Sequence, residues 1–421
     1  MARPQAQLPS LAGADWLADQ LLQRVLAALT AEGGEARIAG GAVRNALLDE
    51  PVSDIDVATT ETPTRVMDLA RRAELAVHPT GLDHGTVTVV SKDGTRTRAF
   101  EVTTLRIDVE AYGRHAQVAF TDDWTADARR RDFTMNALYC DGSGALLDPV
   151  GGYRDLVKRR VRFVGEPEAR IREDFLRILR FFRFQARYGH GAPDRRGLAA
   201  CVALQEGLGR LSSERVRQEM LKLLVAPGAV PVLRVMAETG IAGRVLATAH
   251  DVSRLSRMAD IDVSQGLEPD PVLRLAAIGL ESTQDAATLR QALRLSNVEY
   301  NRLQDLAQSI LPTPALRANE RRIVLYQTGP QGFRDAVRFA WAIDHGRFAA
   351  EAWAELLRLP EHWSVPRFPV SGADLASRGV PAGPEMGRLL GRLEDWWMAA
   401  GFPADKNEVL AQLDPLRSRQ P

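Results

Sequence analysis

Strand signals almost vanish from this chain after Arg170, and that single change limits what it can fold into. Up to Arg170, short β-rich runs alternate with helical stretches. Beyond it, apolar residues keep a helical spacing to the C-terminus. The helical part is interrupted near Pro227-Gly228, Pro312–Pro314 and Pro366–Pro369, because proline and glycine end helices. At 421 residues the chain exceeds what one hydrophobic core serves. The order therefore predicts an α+β head followed by a long all-α remainder. No fixed-period repeat or low-complexity stretch competes with that reading.

Within the head, Ala14 to Ala31 carries leucines and alanines at helical spacing and stops at Gly33-Gly34. Arg37-Ile38-Ala39 is predicted as a short strand ending in Gly40-Gly41, with a helix starting over Ala42 to Leu48. Asp54-Ile55-Asp56-Val57-Ala58 alternates as a strand should. Gly85 to Val90 and Thr97 to Leu105 form two further β-rich runs joined by the turn Lys92-Asp93-Gly94. Ile107 to Trp124 has no clear period, contains Gly113 and reads as a mobile loop. Arg131 to Tyr139 is compatible with a helix, and Asp148-Pro149-Val150-Gly151-Gly152 with a turn.

The remaining composition excludes classes rather than choosing one. No run of about 20 apolar residues could cross a membrane, and Met1 to Ala12 lacks the features of a secretory signal. Cys140 and Cys201 are too few for a disulfide framework or a zinc set, which points to a reducing cytoplasm. Basic and acidic residues balance at 54 each, so a general nucleic-acid coat protein is not expected. Between Arg129 and Arg187, however, fourteen basic residues stand against eight acidic ones. Such a run is either a phosphate footprint or a solvated helix face balanced by acidic neighbours. Composition alone leaves both open.

Asp54 and Asp56 sit two apart on a predicted strand, so their carboxylates share one face. Like charges so placed are most easily kept by a divalent cation, and Mg²⁺ suits one or two carboxylates completed by substrate phosphates. On its own the pair could equally be a solvated strand face. Its surroundings add to it: Gly40-Gly41 precedes a helix whose first amides favour phosphate, and Arg44 lies one turn further on. Together these residues describe a cradle for a metal and a triphosphate. Glu101, on a later strand, is available as a third carboxylate or as an edge-strand charge.

These segments carry a resemblance. Gly40-Gly41-Ala42-Val43-Arg44-Asn45-Ala46-Leu47-Leu48 with Ser53-Asp54-Ile55-Asp56-Val57-Ala58-Thr59 resembles the opening motif of class II CCA-adding enzymes and bacterial poly(A) polymerases. Phe100 to Arg106 is similar to the strand that bears their third carboxylate. Arg130 to Leu138 resembles the ribose-binding motif, Asp148-Pro149 with Gly151-Gly152 the turn that follows, and Glu173 to Arg180 the base-recognising motif. The motifs keep family order over roughly the first 190 residues; the helical remainder fits by length and class only. One departure is Asn45, where the family often has Asp.

On a single helix, Glu173, Asp174, Arg177 and Arg180 would fall within one arc, with Phe175, Ile178, Leu179 and Phe182 opposite. That is either an ion-paired amphipathic helix or a base reader. Cytosine and adenine both offer an exocyclic amine beside a ring-nitrogen acceptor, which a carboxylate and an arginine complement. The resemblance implies those roles for Asp174 and Arg177, places Arg180 and Arg183 nearer the triphosphate, and gives Arg131 and Asp132 the sugar and phosphate.

It further implies a nucleotidyltransferase head over 1–165, a helical neck over 166–225, a body over 226–315 and a tRNA-contacting tail over 316–421. The implied reaction is Mg²⁺-dependent, template-independent addition of CMP and AMP to the tRNA 3′ end. Asp54, Asp56 and Glu101 would be catalytic, the two aspartates binding metal; Gly41, Arg44, Arg131, Asp174, Arg177, Arg180 and Arg183 would bind CTP and ATP. A poly(A) polymerase is the nearest rival. His78-Pro79-Thr80-Gly81 to His84-Gly85-Thr86-Val87 looks more like the CCA-adding branch. A non-catalytic RNA-binding module would have no use for carboxylates facing phosphates. His250-Asp251 lacks further metal ligands nearby and reads as a helix-surface pair. The late tryptophans, Trp341, Trp353, Trp363, Trp396 and Trp397, read as packing residues.

Overall fold

The structure, a computed structural model, describes residues 8–112, 115–248 and 250–418. The chain divides into two compact units, Met1–Val245 and Leu246–Pro421.

The first unit is built on a mixed seven-stranded sheet. Its strands are β1 (Ala36–Ala39), β2 (Asp56–Thr59), β3 (Ala76–Gly81), β4 (Thr86–Asp93) and β5 (Arg96–Thr104). Two further strands, β6 (Arg106–Tyr112) and β7 (His115–Phe120), pair with each other in a separate two-stranded sheet. β8 (Tyr139–Cys140) and β9 (Leu146–Leu147) complete the main sheet, whose order is β3-β4-β5-β2-β1-β8-β9. Among the described strands only β2 and β5 run parallel.

Strand alternation assigns the two faces. Val57 lies beside Val102 in register, and both are buried with Val87, Val89 and Phe100. That apolar face is covered by helices α1 (Gln20–Thr30) and, after the short α2 (Gly41–Ala46), α3 (Pro63–Arg72). α1 is started by Asp19, which accepts from the amide of Leu21, and buries Leu21, Leu22, Val25, Leu26 and Leu29. One residue along each strand, Asp56 pairs with Glu101 on the opposite face. The core register thus fixes the polar register.

The rest of this unit is helical: α4 (Trp124–Arg130), α5 (Gly152–Val157), α6 (Pro167–Glu173), α7 (Leu176–Tyr188), α8 (Arg195–Ala203) and α9 (Ser213–Leu224). Phe133, Phe163, Phe181 and Phe184 make a chain of ring contacts, with centroids 4.9–6.4 Å apart, that locks α7 onto the head. The second unit is all helix among its described elements. One of its cores gathers Phe333, Val337 and Trp353, and another Leu375, Leu393 and Trp397. Trp353 and Trp397 are almost fully buried, so packing is what they do. The α+β head followed by helices is as expected.

Several local expectations need correction. The segment Ile107 to Trp124 is not an irregular loop: β6 and β7 form a hairpin, because β-branched and aromatic residues pair once a partner strand is present. Gly113 lies outside the described residues. Arg131 to Tyr139 is not an α-helix; α4 ends at Arg130, a single 3₁₀ turn spans Thr134–Asn136, and β8 follows. The strand expected from Asp54 begins at Asp56.

Candidate active site

A cavity of about 460 Å³ opens in the first unit, lined by Gly40, Gly41, Arg44, Asp56, Arg131, Asp132, Asn136, Asp174, Leu176, Arg177, Arg180, Phe184 and Arg215. Six of the sequence-predicted site residues are therefore together with Asp56: Gly41, Arg44, Arg131, Asp174, Arg177 and Arg180.

Gly40 ends β1 with φ +67° and ψ −109°, a conformation L side chains rarely adopt, and an added Cβ would stand 3.1 Å from Arg131 Nη1. This kink starts α2 at the cavity wall, where the first amides of a helix have no intrahelical partner. Arg44, one turn later, is buried. Its Nη1 donates to Asn136 Oδ1 (2.5 Å), its Nη2 to the Tyr188 hydroxyl (2.7 Å), and both Nε and Nη2 to Asn45 Oδ1. The guanidinium also lies 4.1 Å from the Tyr188 ring centroid. Asn45 thus serves as a neutral acceptor for Arg44 while its amide donates to Pro51 O (3.0 Å).

Asp56 and Glu101 stand side by side on parallel strands, and among the described residues neither carboxylate accepts a hydrogen bond or forms an ion pair. Loss of solvent at Asp56, then the neighbouring charges of Glu101 and Asp54, raise its carboxyl above the ordinary range, although Arg131 works against this. Asp54 lies just before the strand and takes a hydrogen bond from Ser53 Oγ (3.1 Å). Among the described residues no three His, Cys, Asp or Glu side chains form a ready-made metal cage. An unneutralised carboxylate pair beside a phosphate-friendly turn is nevertheless the donor set for a hard cation that shares substrate oxygens.

Arg131 is held by Asp127, which is fully buried in α4. Asp127 accepts from Arg131 Nη2 (3.1 Å), Arg130 Nε (2.7 Å) and the Tyr139 hydroxyl (2.7 Å). Burial alone would raise the Asp127 carboxyl, but Arg131, Arg130 and Tyr139 hold it below its usual value. Burial and this carboxylate push the Tyr139 phenol up despite Arg131. Asp132 is likewise kept ionised against burial by Arg180, whose Nε donates at 2.8 Å, and by Asn136 (3.0 Å).

The base-reading motif is not on one helix. α6 stops at Glu173, Asp174 is extended (φ −154°, ψ 108°), and α7 begins at Leu176. The aspartate carboxylate caps the new helix through the Leu176 amide (3.1 Å), an alternative to continuing the first helix that Asp favours. Asp174 also receives Arg215 bidentately, Nη1 to Oδ1 at 3.2 Å and Nη2 to Oδ2 at 2.6 Å. Arg177 Nη1 donates to Glu173 (2.5 Å) and to the Arg170 carbonyl (2.7 Å). Arg183 is not brought into the cavity: it turns to Glu219 on α9.

Arg215, Glu219, Asp127 and Asn136 had no expected role. Nothing local marks Arg215 or Glu219, which come from a helix some forty residues downstream. Asp127 had a signal, since Asp127 and Arg130-Arg131 lie at the i,i+3 and i,i+4 spacings where helical charges pair. His250 and Asp251 make no metal site. Asp251 caps the helix Val252–Ser264 through Ser253 N (2.8 Å) and Arg254 N (3.2 Å). Asp251→Ala is expected to cost about 1 kcal/mol in urea unfolding and to leave nucleotide addition unchanged; a metal-dependent loss of activity would show otherwise.

Fold and site together define a nucleotidyltransferase of the poly(A) polymerase type, and residues 36–162 match the poly(A) polymerase head domain family. Residues 193–250 match the family described as the probable RNA- and SrmB-binding site of polymerase A. The mouse mitochondrial CCA tRNA nucleotidyltransferase 1 is 34% identical over 396 residues, covering 91% of this chain and 87% of the mouse protein. The CCA-adding enzyme of Geobacillus thermodenitrificans is 40% identical over 56% of each chain. The crystal structure of the Bacillus stearothermophilus CCA-adding enzyme with CTP superposes with a TM-score of 0.75 at 29% identity, over 95% of this chain and 98% of that one. The chain belongs to the CCA tRNA nucleotidyltransferase, or CCA-adding enzyme, family.

Proposed function

We propose that this chain adds CMP and AMP to the 3′ end of tRNA, without a template, from CTP and ATP with release of pyrophosphate. The observation that carries the reading is the cavity itself. It gathers Asp56, whose carboxylate stands beside Glu101 without an ion-pair partner among the described residues, with Asp174, Arg177 and the arginines Arg44, Arg131 and Arg180. Mitochondrial relatives from mouse and human bear the CCA tRNA nucleotidyltransferase name, and related solved structures hold CTP, ATP or tRNA.

Asp56, Glu101 and Asp54 would hold Mg²⁺. When bound, the cation would neutralise charge on the transferring phosphate and favour an ionised attacking 3′-oxygen. The chain's own residues do the rest. Arg131 and Arg180, fixed by Asp127 and Asp132, place positive charge along the triphosphate path. Asp174 Oδ1 already accepts two hydrogen bonds, but Oδ2 accepts only from Arg215 and keeps a lone pair for an exocyclic amine. Arg177, engaged through Nη1, has Nε and Nη2 for a ring nitrogen. Uracil and guanine present the reverse order and would leave these groups unpaired.

The division into head (1–165), neck (166–225), body (226–315) and tail (316–421) belongs to this proposal, with the tail touching tRNA. So does a cytoplasmic setting, supported by two buried free thiols whose ionisation burial suppresses, Cys140 up to about 12. No helix among the described residues is long and apolar enough to cross a membrane.

The test is to incubate the protein with tRNA lacking CCA and with each nucleotide singly and together. Growth by three nucleotides followed by arrest is the expected result. Long A-tails on arbitrary RNA would mean a poly(A) polymerase, and Mg²⁺-independent binding without growth a non-catalytic module.

A further inference from the structure

Of the residues that line the cavity of about 460 Å³, Phe184 alone is aromatic. Three guanidiniums converge on its ring: Arg183 lies 4.5 Å from the centroid, and Arg44 and Arg180 each lie 5.4 Å away. We infer that Phe184 is a positioning residue for the triphosphate, its π-electrons holding Arg44 and Arg180 at the cavity wall. The inference rests on the proposed reading only in taking a nucleoside triphosphate as the ligand.

A charge imbalance explains the ring. Arg180 pairs with Asp132, and Arg183 with Glu219. Arg44 has only neutral acceptors: Asn136, Asn45 and the Tyr188 hydroxyl. Three cations therefore share two carboxylates, and one positive charge is left over. Burial pulls the Arg44 guanidinium below its ordinary pKa; Tyr188 opposes this, and the charge of Arg183 adds to it. Like charges so close would draw apart towards solvent unless something among them carried negative potential. An aromatic ring does, because its quadrupole is negative on the faces. The surplus charge then stays in the cavity and offers the triphosphate a cationic wall.

The ring is fixed in place and closed to the base. Phe184 is only 4% exposed, and its ring packs against Phe133 and Tyr188 with centroids 4.9 and 5.5 Å away. A nucleobase stacked on it would need an open face, and the arginines take that space. Phe184 therefore acts on the part that CTP and ATP share, while Asp174 and Arg177 are left to tell the bases apart. The same hold extends to pyrophosphate, the product that keeps two of the three phosphates.

The test places phenylalanines with one, two or three ring fluorines at position 184 of the full-length protein. Fluorine keeps the shape of the ring and progressively cancels its quadrupole. The KM for CTP, on tRNA lacking CCA, and for ATP, on tRNA ending in CC, should rise together with each fluorine. The rise should reach about tenfold, the inhibition constant for pyrophosphate should follow it, and the KM for tRNA should stay unchanged. Phe184→Leu, which also loses the ring contact with Phe133, should raise the same constants and lower the Tm, whereas the fluorinated proteins should melt close to wild type. Constants that stay flat across the fluorine series, with damage only in Phe184→Leu, would reduce the ring to packing and overturn the inference. A rise for one nucleotide alone would set the ring against a base and overturn it too. Calorimetric titration of the same proteins with CTP separates this inference from the reading beneath it. If the wild-type protein binds CTP but extends no tRNA, nucleotidyl transfer fails, while binding that weakens with fluorination still sustains the role of Phe184.

Discussion

Replacing Asp56 with alanine is expected to lower nucleotide addition by about a thousandfold or more, while the fold survives. The size follows from its position. Asp56 lines the cavity, faces Glu101 in register, and is the strand residue whose neighbour Val57 is locked into the core. The stability change should run the other way. Crowding by Glu101 and Asp54, together with lost solvent, raises the folded-state carboxyl above its unfolded value. The folded state then holds its proton to higher pH, so the penalty for ionising Asp56 is absent well below the ordinary carboxylate range. It sets in above the unfolded value, grows as pH climbs towards the raised folded value, and is full above it. Without metal, Asp56→Asn should therefore melt level with wild type in acid and gain on it as pH rises above the ordinary carboxylate range. Added Mg²⁺ should raise the wild-type Tm more than the variant's. Residual activity within tenfold of wild type would remove Asp56 from the chemistry.

The parts of this site that were legible in the sequence are those fixed by local geometry. Two-residue alternation puts Asp56 on the face opposite Val57, and a Gly-Gly pair before a short helix announces a kink such as the one at Gly40. The ordered motifs supplied most of the cavity lining. What escaped depends on distant partners. Asp174 breaks a helix because its carboxylate caps α7 and binds Arg215, and neither consequence shows in the local period of apolar residues. A helical wheel drawn through Glu173 to Arg180 assumes the continuity that the aspartate removes. Arg183 follows Glu219 out of the cavity for the same reason: α9 supplies a carboxylate that spacing within α7 cannot reveal. The β6–β7 hairpin was missed because each strand alone lacks a clean alternation, and its pairing contains a register shift between Asp108 and Glu110.

Arg177→Ala should change which nucleotides are used more than it changes the fold. Its Nη1 serves Glu173 and the Arg170 carbonyl, and Glu173 keeps its pairing with Arg170 when Arg177 is gone. On the proposed reading, what disappears is the donor for the ring nitrogen of cytosine or adenine. A buried polar group left unpaired costs about 1–3 kcal/mol, which corresponds to roughly ten- to hundredfold in relative kcat/KM. CTP and ATP should lose that advantage over UTP and GTP. Asp174→Ala should act similarly through the exocyclic amine, but it also strips Arg215 of its bidentate partner, so total activity should fall further. Arg215→Ala separates the two effects. It leaves the Asp174 acceptor in place, and if that carboxylate reads the base, the ratios among the four nucleotides should move less than in Asp174→Ala. The measurement is kcat/KM for all four nucleotides on one tRNA primer, wild type against the three variants. If every variant loses activity uniformly and the ratios stay fixed, Asp174 and Arg177 are ion-pair partners that shape the wall of the cavity, and selection of C and A must come from other groups.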